Sequence, residues 1–118
     1  MSTVGFFRNS SEFQNFQAGQ PIFEEGQAGD FMWAVQEGEV DIIIKGKVVE
    51  TIGRGGIFGE MALIDNEPRS ATALAKTDCR LVPVNEQRFT YMVHETPFFA
   101  LQVLRVTVGR LRRSSGQA

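Results

Sequence analysis

The chain has 118 residues, enough for one domain with a hydrophobic core and too few for a second module of ordinary size. Hydrophobic residues make up 42% and charged residues 22%, as in ordinary soluble proteins. The net charge of −2 argues against binding to nucleic acid, and no apolar run has the roughly 20 residues needed for membrane insertion. The single cysteine, Cys79, excludes an internal disulfide. With no signal peptide at the N-terminus, we expect a cytoplasmic protein.

Short apolar or alternating runs begin at Phe13, and a glycine or a polar turn closes each of them. The runs are FQNFQ, PIFEE, FMWAVQ, VDIII, VVETI, ATALA and CRLVPV. Strands of this length, repeating every 8–12 residues or so, predict an antiparallel jelly-roll sandwich that is mainly β. The clearest tight hairpin is Lys45-Gly46-Lys47, which separates two β-branched runs. We expect Phe31 and Trp33 to lie in the core, because the strands of a sandwich bury one face.

After Pro83 the apolar period changes from that of a strand to that of a helix. Asn85 is a good N-cap for a first helix, and Thr96-Pro97 marks the start of a second. An apolar stripe on the second helix comprises Phe98, Leu101, Leu104, Val108 and Leu111. This stripe is either core packing or a dimer seam. We therefore divide the chain into a short N-terminal arm (1–12) and one domain (13–118), with strands over about 13–84, helices over about 85–113 and a short helix between the strands.

The segment Phe58–Thr72, FGEMALIDNEPRSAT, has the features of a loop that wraps a small anion. The first turn of a short helix presents unpaired amides and a favourable dipole to an anion. Gly59 allows close approach of the backbone, and Arg69 offers a planar fork of donors that suits phosphate oxygens. Glu60 beside an anion is explained if the ligand also carries hydroxyl groups. Alternatively, Glu60 caps a helix, and Arg69 is a surface residue paired with an acidic neighbour in the loop.

The same segment resembles the phosphate-binding cassette of cyclic nucleotide-binding domains, which reads F-G-E-[LM]-A-L, a short loop, and P-R-[AST]-A-T. A second block, GQPIFEEGQAGDFMWAVQEGEVDI, resembles the family pattern that precedes the cassette, with Trp33 where tyrosine is common. The resemblance covers about residues 13–113. The family usually has a longer helix before the first strand, and its larger members carry an effector domain after the last helix. We expect an independent small protein that signals through an unknown protein effector, as a monomer or a weak dimer; the alternative is an excised fragment of a channel or regulator.

The resemblance implies that Arg69 pairs with the cyclic phosphate and that Glu60 accepts a hydrogen bond from the ribose 2′-hydroxyl. The implied phosphate and ribose residues are Phe58, Gly59, Glu60, Met61, Ala62, Arg69, Ser70 and Ala71. The implied base and lid residues are Val49, Ile52, Arg110, Ser114 and Ser115. The ligand implied is cAMP, or cGMP as the alternative, because Ser70 is compatible with either. No cofactor or metal is expected.

Other functions are less consistent with the sequence. A metal-dependent jelly-roll enzyme needs several converging histidines, whereas His94 is the single histidine and follows the strands. A DNA-binding protein would need a recognition motif and net positive charge. An interaction domain with weak or no ligand binding remains open. The sequence therefore predicts a non-enzymatic sensor that changes conformation when a cyclic nucleotide binds.

Overall fold

The computed structural model of the protein describes residues 4–114. Within these residues, eight strands form two antiparallel four-stranded sheets, and four helices accompany them, which confirms the mainly-β sandwich. The strands are β1 (Gln14–Phe16), β2 (Pro21–Phe23), β3 (Phe31–Glu37), β4 (Val40–Ile44), β5 (Lys47–Ile52), β6 (Ile57–Phe58), β7 (Thr72–Ala75) and β8 (Cys79–Asn85). The helices are α1 (Val4–Phe7), α2 (Glu60–Asp65), α3 (Glu86–Glu95) and α4 (Pro97–Ser114).

One sheet has the strand order β1-β8-β3-β6 and the other has β2-β7-β4-β5. The β4–β5 hairpin turns at Lys45 and Gly46, whose positive φ values of 52° and 79° are those of a type I′ turn. The predicted hairpin is therefore confirmed. The two-residue strand β6 was not predicted, because its run ends where the cassette begins.

The core has two layers, because the sheet that contains β3 is covered on both faces. Alternate residues of β3 point in opposite directions: Trp33 and Val35 pack between the sheets, whereas Met32 and Ala34 face the helices. All four are buried. Phe31 differs from the prediction: at the start of β3 its side chain is 40% exposed.

The C-terminal helices begin where the sequence predicts. The Asn85 side chain accepts a hydrogen bond from the Arg88 amide at 2.8 Å, and α4 starts at Pro97. The side of α4 that packs on the sheet differs from the predicted stripe, since Phe99 and Val103 are the residues fully buried there. The stripe from Phe98 to Leu111 is exposed, which excludes its assignment to the core of this chain.

The predicted arm contains one helical turn, α1, and Phe7 at its end is buried against Phe99 with ring centroids 5.7 Å apart. Gln36 holds the following residues in place, because its Nε2 donates to the carbonyls of Phe7 (2.8 Å) and Ser10 (2.9 Å). The first three residues lie outside the described part of the chain. None of the described helices combines the length and the apolar character needed to cross a membrane.

Candidate functional site

The cassette segment lies between β6 and β7 and begins with a conformation that requires glycine. Gly59 immediately precedes α2 with φ of 78°, in the left-handed region. A Cβ atom at this position would lie 2.7 Å from the Arg69 guanidinium and 3.2 Å from the Phe23 ring. Gly59 is therefore needed both for the turn and for the close approach of Arg69.

Arg69 is buried, with only 5% of its surface exposed. One terminal nitrogen donates to the Gly59 carbonyl at 2.7 Å, the other donates to the Phe31 carbonyl, and the guanidinium carbon lies 3.9 Å from the centre of the Phe23 ring. Burial lowers the pKa of Arg69, and the negative charges of Asp30 and Glu60 oppose this shift. These contacts exclude the alternative of a surface arginine paired within its own loop.

The Nε atom of Arg69 is buried and has no hydrogen-bond partner among the described residues. A buried donor without a partner costs roughly 1–3 kcal/mol, more when it is charged. The backbone of the same residue is held firmly: its amide donates to Gln27 at 2.7 Å and its carbonyl accepts from Gly26 at 2.9 Å. The structure thus places a cationic side chain with unused donor capacity on a well-fixed backbone.

Glu60 is the first residue of α2 and is 1% exposed. Two residues of α4 contact its carboxylate: the Arg110 guanidinium donates to one oxygen at 2.7 Å, and the Thr107 hydroxyl lies 3.2 Å from the other. The single hydrogen of that hydroxyl also has the Val103 carbonyl within reach, at 2.9 Å. Glu60 is therefore more than a helix cap, because it connects the cassette to the C-terminal helix.

Arg110 joins two carboxylates at this contact. Besides Glu60 it pairs with Glu50 of β5, through Nε–Oε1 at 2.9 Å and a terminal nitrogen–Oε2 at 3.3 Å, and it also donates to the Ile57 carbonyl. Burial alone would lower the pKa of Arg110, but the charges of Glu60 and Glu50 and the hydrogen bonds to them outweigh burial and raise it. The charge of Arg110 is thus firmly maintained at the junction of β5, α2 and α4.

The other predicted site residues differ in exposure. Phe58, Ala62, Ala71 and Ile52 are buried, Met61 is half-buried, and Ser70, Val49 and Ser114 are exposed. Ser115 lies outside the described residues. Arg110, predicted for the lid, reaches Glu60, the predicted ribose residue.

Four contributors to the site were missed by the sequence interpretation: Thr107, Glu50, Phe23 and Asp30. Thr107 precedes Arg110 by three residues and so lies on the same helix face, which is a signal that was available. Glu50 is the one charged residue in the run VVETI. The ring contact of Phe23 with Arg69 and the charge interaction of Asp30 with Arg69 join distant parts of the chain, and no local pattern predicts them.

Beside this junction, a cleft of about 450 Å³ lies between α4 and the β5–β6 segment. Glu50, Ile52 and Arg110 form part of its wall. Among residues 4–114, no group of three or more histidine, cysteine, aspartate or glutamate side chains is arranged to hold a metal ion. Arg69 and Glu60 are not among the residues that line this cleft. The cassette segment nevertheless carries a buried cation and a buried carboxylate, which suits binding of a ligand that has both an anionic and a hydroxyl group.

Comparison with known proteins agrees with this geometry. The family model of the cyclic nucleotide-binding domain matches residues 13–96. A cAMP-dependent protein kinase regulatory subunit from Eremothecium gossypii (strain ATCC 10895 / CBS 109.51 / FGSC 9923 / NRRL Y-1056) is 41% identical over 81 residues. That match covers 69% of this chain but only 18% of the regulatory subunit.

Solved structures show the same fold. The catabolite activator protein of Thermus thermophilus superposes with a TM-score of 0.80 at 28% identity, over 88% of this chain and 51% of the activator chain. The EAL enzyme Bd1971 is 36% identical and superposes in its cAMP-bound form (TM-score 0.67, 88% of this chain and 29% of that chain). Its cGMP-bound form gives a TM-score of 0.69, over 89% of this chain and 29% of that chain. This chain therefore spans about half of the activator and smaller fractions of the other two proteins.

Proposed function

The chain belongs to the cyclic nucleotide-binding domain family, and from this we propose that it is a non-enzymatic sensor of cAMP. One observation carries the proposal: a single short segment has a buried carboxylate, Glu60, near one end and a buried arginine with an unused donor, Arg69, near the other. Arg69 would bind the cyclic phosphate, and Glu60 would accept from the ribose 2′-hydroxyl. Ser70 and Ala71 would add a hydroxyl and an amide to the phosphate, and the cassette amides from Gly59 onward would complete its shell.

The preference for cAMP is supported by the similarity to a cAMP-dependent kinase regulatory subunit. The alternative is cGMP, since Bd1971 has been solved with each nucleotide and is 36% identical to this chain. Ser70 is exposed on the loop, where its hydroxyl is accessible to either ligand. Competition between cAMP and cGMP for the purified protein measures the preference directly, and tighter binding of cGMP would reverse it.

The proposed response to ligand is a population shift between two arrangements of the cassette. A bound phosphate competes for the guanidinium that now contacts the carbonyls of Gly59 and Phe31, so the loops that carry these carbonyls are free to move when Arg69 turns to the ligand. Helix α4 already contacts Glu60 in this arrangement, through Thr107 and Arg110. We propose that α4 passes the change to a separate protein effector.

Calorimetry of the purified protein against cAMP and cGMP tests the proposal. Replacing Arg69 by alanine should weaken binding by roughly a hundredfold or more, because a largely desolvated phosphate loses its charge-assisted partner. Arg69→Lys keeps the charge but lacks the planar fork, and its affinity should fall between those of the wild type and the alanine variant. Arg8→Ala removes an exposed arginine that is far from Arg69 in the sequence; this matched control should bind as the wild type does.

Two outcomes would contradict the proposal. Near-wild-type affinity of Arg69→Ala would show that Arg69 is not the phosphate ligand. No heat change with either nucleotide at millimolar concentration would leave the chain as an interaction domain without a nucleotide ligand.

A further inference from the structure

Positive charge is concentrated in the cleft between α4 and the β5–β6 segment. Four arginines and one acidic residue are among the described residues that line it: Arg54, Arg105, Arg110, Arg113 and Glu50. Glu60 also contacts Arg110, so four positive charges stand against two negative ones even when both carboxylates are counted. The chain as a whole has a net charge of −2, so this excess is local. We call this part of the surface the arginine cleft.

Two of these arginines share one carboxylate. Arg110, whose side chain is 13% exposed, is held between Glu50 and Glu60. Arg113 lies 3.6 Å from the Glu50 oxygen that Arg110 already contacts, and its side chain is 63% exposed. An exposed pair at this distance contributes little stability, so Arg113 can turn toward an anion in the cleft at small cost.

The other two arginines have donors available. Arg54 and Arg105 are both exposed, and they come from the two walls of the cleft, the β5–β6 segment and α4. Arg54 makes no hydrogen bond or ion pair with the part of the chain that the structure describes. The guanidinium carbon of Arg105 lies 5.8 Å from the centre of the Phe98 ring. That attraction to the ring leaves the N–H groups of Arg105 free to donate.

The α4 wall of the cleft has a gap at Gly109. Arg105, Gly109 and Arg113 follow one another at four-residue intervals, so they lie along one helix face over about 12 Å. Glycine is less favourable than alanine inside a helix. Apart from its neighbours in the helix, a Cβ atom here would meet only a terminal nitrogen of Arg113, at an ordinary distance of 3.4 Å. Packing among residues 4–114 therefore does not need this glycine, and it leaves room for a ligand against the helix backbone.

We propose that the arginine cleft is a second ligand site, which binds the linked phosphate groups of a small polyphosphate. Arginine forks suit phosphate oxygens, and a ligand that meets Arg105 and Arg113 across the Gly109 gap must carry charge along its length, as linked phosphates do. The cleft volume of about 450 Å³ is that of a small-molecule site. Neither Arg69 nor Glu60 lines the cleft, so this site is separate from the proposed phosphate and ribose site.

Calorimetry of the ligand-free whole chain with tripolyphosphate and with orthophosphate, at low salt and without divalent metal ions, tests the proposal. Tripolyphosphate should bind at least about tenfold more tightly than orthophosphate, and added sodium chloride should weaken its binding. Adenosine triphosphate is the third titrant. Tighter binding than that of tripolyphosphate identifies a nucleoside polyphosphate as the ligand, and equal binding identifies the phosphate chain alone; either result supports the site.

Three variants test the residues. The double variant Arg54→Gln, Arg105→Gln should lose about tenfold or more in affinity for tripolyphosphate. Gly109→Leu keeps a good helix former but fills the gap, and should lose a similar factor. Glu50→Gln removes the acidic lining residue and should bind about threefold more tightly or better, a gain that misfolding cannot produce. The control is Arg8→Gln, Arg80→Gln, which makes the same change of charge at residues that do not line the cleft.

Several outcomes would overturn the proposal: equal affinities for orthophosphate and tripolyphosphate, an equal loss in the control, or no effect of any of the three variants. Complete exclusion of tripolyphosphate by saturating cAMP would also overturn it, because the anion would then occupy the proposed cyclic nucleotide site. The titrations with tripolyphosphate contain no cAMP, so they can succeed where the proposed function fails. The Arg54→Gln, Arg105→Gln variant should keep the calorimetric response to cAMP, since neither residue is assigned to that ligand.

Discussion

The contact between α4 and the cassette gives a stability prediction whose size follows from burial. Replacing Arg110 by methionine keeps an unbranched helix-forming side chain but leaves the carboxylate of Glu60, 1% exposed, without its cation. Removing one partner of a buried ion pair costs about 3–5 kcal/mol. Because the Thr107 hydroxyl can turn from the Val103 carbonyl to donate to Glu60, we expect the lower end, about 3 kcal/mol. For a domain of this size that lowers Tm by very roughly 10 °C.

The assay is urea and thermal denaturation of the ligand-free protein, with Arg113→Met as the matched control. Arg113 is on the same helix and also approaches Glu50, but at 3.6 Å and with 63% of its side chain exposed. Exposed pairs of this kind contribute little, so the control should change stability by less than about 1 kcal/mol. The double variant Glu60→Gln, Arg110→Met should recover part of the loss, because the unpaired buried charge is gone. Equal losses for Arg110→Met and Arg113→Met would refute the reasoning.

Two further predictions concern Gly59 and Cys79. Gly59→Ala should cost roughly 1–3 kcal/mol more than Gly46→Ala, because both glycines have positive φ but only at Gly59 would a Cβ meet Arg69 and Phe23. Equal losses of unfolding free energy for Gly59→Ala and Gly46→Ala in urea denaturation would contradict this, because they would mean that the Arg69 side chain shifts to make room for the Cβ atom. Burial raises the pKa of the Cys79 thiol above its ordinary value of 9.0. As the pH rises, the thiol of the unfolded chain therefore ionises before that of the folded chain. The stability that the neutral thiol contributes to the fold is thus present below pH 9.0 and lost as the pH rises above it. Wild type should therefore lose more stability than Cys79→Ala between about pH 8 and pH 10, and parallel pH curves would contradict this.

The elements that the sequence predicts well are those set by local interactions. The type I′ turn at Lys45-Gly46, the Asn85 cap and the helix start at Pro97 all depend on residues within one turn of each other. The apolar period of α4 also predicts a helix correctly. Which of its faces is buried could not be predicted, because Phe99 and Val103 are selected by the sheet that they pack on.

In the candidate site, too, the local motif could be predicted from the sequence and the long-range contacts could not. The cassette motif identifies Glu60 and Arg69, but the partners that hold them come from 10 to 50 positions away in the sequence. Phe31 begins β3 with its side chain 40% exposed, and its backbone carbonyl rather than its ring contacts Arg69. Amphipathic patterns cannot reveal such a contact, since they describe side chains and not carbonyl groups.

The contacts of the two site residues also indicate where movement on ligand binding should start. Glu60 is 1% exposed and Arg110 and Thr107 of α4 cover its carboxylate, so in the proposed complex a ribose hydroxyl can reach it only when these α4 contacts open. Arg69 is also engaged, because each terminal nitrogen gives one of its two hydrogens to a carbonyl, while Nε is without a partner among the described residues. In the proposed complex, a phosphate that draws the guanidinium toward itself would therefore break its contacts with the Gly59 and Phe31 carbonyls. The first part of the chain to respond should be the loop between β2 and β3, since Gln27 and Gly26 are hydrogen-bonded to the backbone of Arg69.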